Sequence, residues 1–354
     1  MNTYINGIGL ISPQKTTEEG TFLSEVIEHN ADYLKCIDPN FKAFIDPIAA
    51  RRMSRLIKMG ITSAKLCLAD AGINMPDAII TGTGLGSVED TEKILNNLLN
   101  NEQLLNPTPF IQSTYNTISS QIAINLKCHN YNSTYVHRIF SFESGLQDAM
   151  MQIAEKSAEN ILVGGIDEMT MNHLSIIRRL GQWKMSPESN LGLLNYSTKG
   201  AHAGEGSGYY LVSSGKNERS YARLYPVLTF YKPQGVEDLV DRIKDYISSI
   251  GLIINDIDIF LAGISGDKES DKIYYHLSET LFQGKPLAYY KHLCGEYHTA
   301  SAFGLWVAAN VLKRQAYPEI LKVNDSDPDK IKRILIYNHL NGINHSLMMV
   351  SLPE

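Results

Sequence analysis

The chain has little cysteine, a shortage of positive charge and no long apolar run, and each shortage removes a class of function. Four cysteines in 354 residues, Cys36, Cys67, Cys128 and Cys294, stand without paired or metal-like spacing. This excludes a disulfide scaffold and reads as reduced, buried thiols. The ten histidines show no ligand spacing either, so no metal is expected. Lys and Arg number 32 against 38 Asp and Glu, a net charge of −6, and the basic run Lys330-Ile-Lys-Arg333 is too short to make a polyanion-binding face. Nucleic acid is therefore not an expected partner. No stretch approaches the ~20 apolar residues of a membrane span. The opening Met1-Asn-Thr-Tyr-Ile-Asn-Gly-Ile8 runs directly into strand-like sequence without the basic start of a signal peptide, so a cytoplasmic location is expected. In Gly82-Thr-Gly-Leu-Gly-Ser87 the third glycine of a dinucleotide fingerprint falls on Ser87, so neither a nucleotide site nor another cofactor is expected.

What is present is a regular alternation of strand and helix patterns. Strands are predicted at Tyr4–Leu10, Ala78–Thr83, Ser133–Phe140, Ile161–Gly165 and Gly208–Val212. Helices are predicted at Arg52–Ala71, Val88–Leu99, Thr114–Leu126 and Ser144–Ala158. The pattern restarts after about residue 216, with strands at Arg223–Thr229, Ile257–Ala262, Leu287–Tyr290, Ile334–Asn338 and Leu347–Leu352, and helices at Val236–Ile250, Lys272–Phe282 and His298–Lys313. Two cycles imply a layered α/β fold of two similar halves, 1–215 and 216–354, with a largely buried sheet. The segment Ile139-Phe-Ser-Phe-Glu-Ser-Gly145 has the form of a strand-to-helix elbow aimed at a helix N-terminus, where unpaired N–H groups would activate a thiolate and hold an oxyanion. Phe142, at its tip, can use neither effect. Cys128 precedes the strand leading to the elbow and so lies on the wrong side of the fold to replace a nucleophile.

Several further segments share one order. Arg51-Arg-Met-Ser-Arg55, Leu68-Ala-Asp-Ala-Gly-Ile73 and Gly82–Ser87 come first. Asn160-Ile-Leu-Val-Gly-Gly-Ile-Asp-Glu168 and Lys199-Gly-Ala-His-Ala-Gly-Glu-Gly-Ser-Gly-Tyr-Tyr-Leu-Val212 follow, and Lys291-His-Leu-Cys-Gly-Glu-Tyr-His-Thr-Ala-Ser-Ala302 lies near the other end. Together they resemble the β-ketoacyl-acyl-carrier-protein synthases, over nearly the whole of a chain shorter than most of that family. The resemblance implies a thiolase-like fold of five layers, αβαβα, built from two duplicated halves.

In that family a cysteine takes the acyl chain as a thioester, and two histidines help the malonyl unit lose carbon dioxide and stabilise the enolate. Carried over by motif, the cysteine position falls on Phe142 and the first histidine on Gly263, in Leu261-Ala-Gly-Ile-Ser-Gly-Asp267 with Asp271 farther on. The second histidine falls on Glu296, and a glutamate that pairs with the family lysine falls on Leu305, while that lysine persists as Lys291. Phenylalanine has no lone pair to attack a carbonyl. Glycine offers no donor to a developing oxyanion, and an ionised glutamate would repel it. No catalytic residue is expected to survive. A buried lysine without its partner would be costly, so Lys291 and Glu296 are expected to form an ion pair that plugs the former malonyl site. The alternative has Glu296 in solvent and Lys291 at the surface.

The resemblance implies a non-catalytic subunit of the chain-length-factor type, pairing with an intact ketosynthase in fatty-acid, polyketide or aryl-polyene type elongation on an acyl carrier protein. Such partners usually carry glutamine where this chain has Phe142. Two other readings remain. One is a repurposed acyltransferase or decarboxylase using Ser141, Ser144 or a nearby histidine such as His292 or His298, although no base is evident by spacing. The other is a homodimer that only binds acyl groups or carrier protein.

Overall fold

The computed structural model describes residues 2–17, 22–100, 107–186 and 188–353. The strands of the first half are β1 (Thr3–Ile11), β2 (Asn30–Ala31), β3 (Ala78–Gly82), β4 (Tyr131–Tyr135), β5 (Asn160–Asp167), β6 (Glu188–Ser189) and β7 (Gly206–Ser213). They are followed by β8 (Ala222–Leu224), β9 (Leu228–Tyr231), β10 (Ile259–Ala262), β11 (Leu287–Tyr289), β12 (Arg333–Leu340) and β13 (Asn344–Ser351). β2 and β6 pair only with each other.

The remaining strands hold two five-stranded sets with the same pairing logic. In the order β4-β3-β5-β7-β1, the first two pairings are parallel and the next two antiparallel. In the order β11-β10-β12-β13-β8 the same sequence recurs. The sets meet where Thr3, Tyr4 and Ile5 of β1 pair with Leu224, Arg223 and Ala222 of β8, and β9 pairs with β13 off the main path.

Successive residues of a strand face opposite ways, and here both faces are covered. From β3, β5 and β7, the side chains of Ile80, Val163 and Tyr210 join one core and those of Ile79, Leu162 and Tyr209 another. From β12 and β13, Ile336 and Met348 join the first core, whereas Leu335 and Met349 enter a third. The shared core holds the helices Ser141–Ala154 and Ser301–Arg314, which lie between the two strand sets. Helices Arg55–Ala71 and Thr117–Leu126 cover the outer face of the first set, and Val236–Ser249 and Lys272–Glu279 cover that of the second. Five layers result, in the order αβαβα. The middle position explains why Ser301 through Leu312 are all buried: this helix meets sheet on more than one side, and its small residues let the layers approach.

Two sequence expectations require correction. The strand expected to run to Phe140 stops at Tyr135, and Arg138–Phe140 form a 3-10 turn, because Arg138 takes a left-handed backbone (φ 48°) that no extended strand allows. The strand expected over Arg223–Thr229 is two strands, β8 and β9, separated at Pro226.

Candidate functional site

The elbow feeds directly into the central helix. Ser141 is fully buried, and its hydroxyl lies 2.9 Å from the Thr83 carbonyl and 2.7 Å from that of Arg138 while accepting the His137 amide at 2.8 Å. These hydrogen bonds hold the turn. Phe142, the next residue, is also fully buried. Its ring centroid is 5.6 Å from that of Tyr210, and a Cβ placed on Gly165 would come within 3.1 Å of its Cδ2, so the glycine makes room for the ring. Leu305 lies in the same apolar core.

The other positions converge on a polar centre one step away. Lys291 Nζ and Glu296 Oε2 are 2.5 Å apart, with side chains only 1% and 4% exposed. Burial lifts the Glu296 carboxyl above its ordinary range, and the adjacent ammonium opposes that shift. Gly263 sits against the same lysine. A Cβ there would collide with Asn338 Oδ1 and stand 2.9 Å from Tyr274 Oη and 3.2 Å from Lys291 Cε. The space that a side chain at residue 263 would need is thus already filled. Asp271 accepts the Ser265 and Gly266 amides at 3.0 and 2.7 Å, and burial raises its carboxyl to about 6.

Three carboxylates organise the surroundings. Asp167, at the end of β5, accepts from Thr83 Oγ1 (3.1 Å), the Gly84 amide (2.7 Å), the Thr299 amide (2.9 Å) and Thr299 Oγ1 (2.8 Å), tying the glycine-rich turn to the start of the last central helix. Glu205 is fully buried, receives Arg55 at 2.8 Å and caps the Cys36 and Met169 amides, so the arginine-rich and Gly-Glu-Gly segments meet through one ion pair. Glu143, beside Phe142, is fully buried and accepts from Ser346 Oγ at 2.9 Å. Burial pushes its carboxyl up to about 7, against the pull of the Ser301 and Ser346 hydroxyls and the Lys291 charge. The motifs contained Asp167 and Glu143 but gave neither a role. The only signal was a carboxylate placed where β5 ends and where the central helix begins.

Glu296 also lines a cavity of about 230 Å³, with Ile139, His173, Trp183, His298 and His339 among its walls. Burial lowers the pKa of His173 and carries that of His339 well below the ordinary imidazole range, so both stay neutral at pH 7. Phe142, Gly263, Lys291 and Leu305 are not part of its lining. His292 is fully buried, stacked 3.7 Å between ring centroids on Tyr289, whereas His298 faces the cavity. All four cysteines are free and buried, and among the described residues no group of three or more His, Cys, Asp or Glu could hold a metal ion. No helix among them is long and apolar enough to cross a membrane.

Residues 29–175 match the family model for the β-ketoacyl synthase N-terminal domain. No curated protein matches the chain by sequence. Solved structures do match it in fold. The ishigamide ketosynthase/chain length factor aligns with a TM-score of 0.83 at 16% identity, covering 100% of this chain and 99% of that one. A β-ketoacyl synthase from Burkholderia phymatum STM815 aligns at 0.77 and 14% identity, covering 99% of each. AntDE:AntF, described as a type II polyketide synthase acyl-carrier protein in complex with its ketosynthase bound to the hexaketide, aligns at 0.71 and 12% identity, covering 99% of each. The five layers and the repeated strand pairing are the thiolase-like fold of these ketosynthase structures over the whole chain, and residues 29–175 are similar to the β-ketoacyl synthase N-terminal domain.

Proposed function

We propose that this protein is a catalytically degenerate ketosynthase-like subunit of the chain-length-factor type, which pairs with an intact ketosynthase and acts with it on chains carried by an acyl carrier protein. The observation that carries the proposal is the substitution of the whole reacting set at once. Phe142 fills the nucleophile position with a buried ring, Gly263 leaves no room for an imidazole, and Glu296 brings a carboxylate already committed to Lys291. Losing a single oxyanion donor typically costs about a hundred- to a thousandfold in rate, and here both donors and the nucleophile are gone together. The Lys291–Glu296 pair then acts as a plug in the former malonyl site.

Pairing is supported by β4, the terminal strand of the large sheet among the described residues, which presents its edge beside exposed Tyr131 and Val136. Among structures of the same fold, one is titled a ketosynthase/chain length factor and another holds an acyl carrier protein with its ketosynthase. Coexpression with a ketosynthase bearing the Cys-His-His set, encoded nearby, tests the reading. The two chains should coelute, and Phe142→Ala should change the length distribution of the partner's products. Condensation of malonyl thioester by the isolated, purified chain would overturn it.

A further inference from the structure

The cavity that Glu296 lines has walls of two kinds. Ile139, Trp183, Ala201, Glu296, Tyr297 and His339 are buried, whereas Arg138, Leu180, Gln182 and Asn341 are exposed. The first set makes a floor and the second a rim, so the space of about 230 Å³ is open to solvent on one side.

The floor is held in place by its own backbone. Trp183 and Ala201 form an isolated bridge, with the Ala201 amide on the Gln182 carbonyl at 2.9 Å and the Lys184 amide on the Ala201 carbonyl at 3.0 Å. Gly200 adopts a left-handed backbone (φ 88°), and a Cβ there would stand 2.7 Å from the Trp183 carbonyl carbon. The other rings are fixed too. His339 stacks on Tyr274 with centroids 4.5 Å apart, and the rings of Tyr297 and His298 occupy the space that a Cβ on Gly206 or Gly84 would need. A pocket formed in advance is the usual state of a ligand site.

The lining specifies the guest. Five rings face the space, those of Trp183, Tyr297, His173, His298 and His339, and a flat guest gains from ring contacts more than the area it buries. Charge narrows the choice. Both lining carboxylates are already occupied: Glu296 holds Lys291, and Asp267 accepts the amides of Gly200, Glu269 and Ser270. An anion would face these two groups, and the one Lys or Arg of the lining among the described residues is Arg138, out at the exposed rim. A cation would leave water without gaining a free carboxylate. An uncharged guest meets neither cost. An apolar cavity of about 150 Å³ takes one benzene, so the 230 Å³ here admits a single ring with a small substituent.

We propose that this cavity is a binding site for a small uncharged aromatic molecule, one ring carrying a single amide- or hydroxyl-sized polar group. The ring lies over the aromatic floor, and the polar group faces the rim, where Gln182 and Asn341 supply amides. The assignment does not rest on pairing with a ketosynthase and is tested on the isolated full chain.

Benzamide is the probe. Trp183 and Trp306 are the chain's two tryptophans, so their emission follows the titration, and Trp306→Phe leaves Trp183 as sole reporter. Saturable quenching with a dissociation constant on the order of 1 mM or tighter is expected, and it should persist in Trp306→Phe. Benzoate, benzylammonium and the acyclic butanamide should each bind about tenfold more weakly than benzamide. Ile177→Phe, at a half-buried lining position, narrows the space and should weaken benzamide by a similar factor. Absence of saturation with benzamide, equal binding of benzoate, benzylammonium or butanamide, or unchanged binding by folded Ile177→Phe would overturn the assignment. The comparison of probes on wild type needs no variant to fold.

Discussion

Asn338 Oδ1 stands where a side chain at residue 263 would have to begin, so the glycine and the asparagine, one at the end of β10 and the other on β12, form a matched pair. A side chain at residue 263 therefore requires Asn338 to move. The variant Phe142→Cys/Gly263→His/Glu296→His is expected to show no decarboxylation of malonyl thioester by mass spectrometry. It should also lose stability in urea, since overpacking a filled interior typically costs about 1–3 kcal/mol. Decarboxylation by this variant with Asn338 intact would show that the space is less committed than the geometry states.

Removing one partner of a buried ion pair leaves an uncompensated charge. Lys291→Met should lower the stability of the chain by about 3–5 kcal/mol, whereas Lys291→Met/Glu296→Leu should recover most of that loss, as apolar replacement of buried pairs often does. Chemical denaturation of the two variants separates these outcomes. A neutral Lys291→Met would mean that Glu296 is satisfied by other groups.

Glu143 makes stability depend on pH in a definite direction. Its carboxyl rises from 4.5 to about 7 in the folded chain. Between these values the folded state holds a proton that the unfolded state has released, so stability falls as pH rises through this window. The full effect, about 3 kcal/mol, is lost above pH 7. Glu143→Gln should flatten this slope while remaining folded. Asp271, raised to about 6, and Glu168, raised to about 8, share the same sign and will leave a residual slope. Thermal unfolding from pH 4.5 to 8 measures both curves.

Phe142 is a packing residue of the central core. Phe142→Ala removes a ring from the core shared by the two sheets and should cost about 3–5 kcal/mol by urea denaturation. A loss below about 1 kcal/mol would mean that Tyr210 and Ala302 collapse into the space, as well-relaxed sites do.

Much of this architecture is legible in the sequence because most strands of the two sets, β4 excepted, are short apolar runs between turn residues, and the strands recur in the same pairing order in both sets. The pairing of Lys291 with Glu296 follows from two charges five residues apart flanking Gly295. The departures have local causes. β-branched and aromatic residues through Phe140 suggest extended chain, but the left-handed Arg138 turns it. In the same way, Pro226 splits what composition alone joins. The polar interior was not legible at all. Nothing near Glu143 in the chain announces Ser346, and nothing near Gly263 announces Asn338, because these contacts exist only after β12 and β13 have paired across the central layer.

The seam between β1 and β8 has a consequence for how the chain assembles. Thr3 pairs with Leu224, over two hundred residues away, and Leu224 in turn pairs with Val350 at the far end of the chain. β1 thus waits for β8, and β8 for β13, before this seam is complete, and contacts of such sequence separation make folding slow. A truncated product ending before residue 222 would carry β1 as a bare edge, the kind of surface on which chains aggregate.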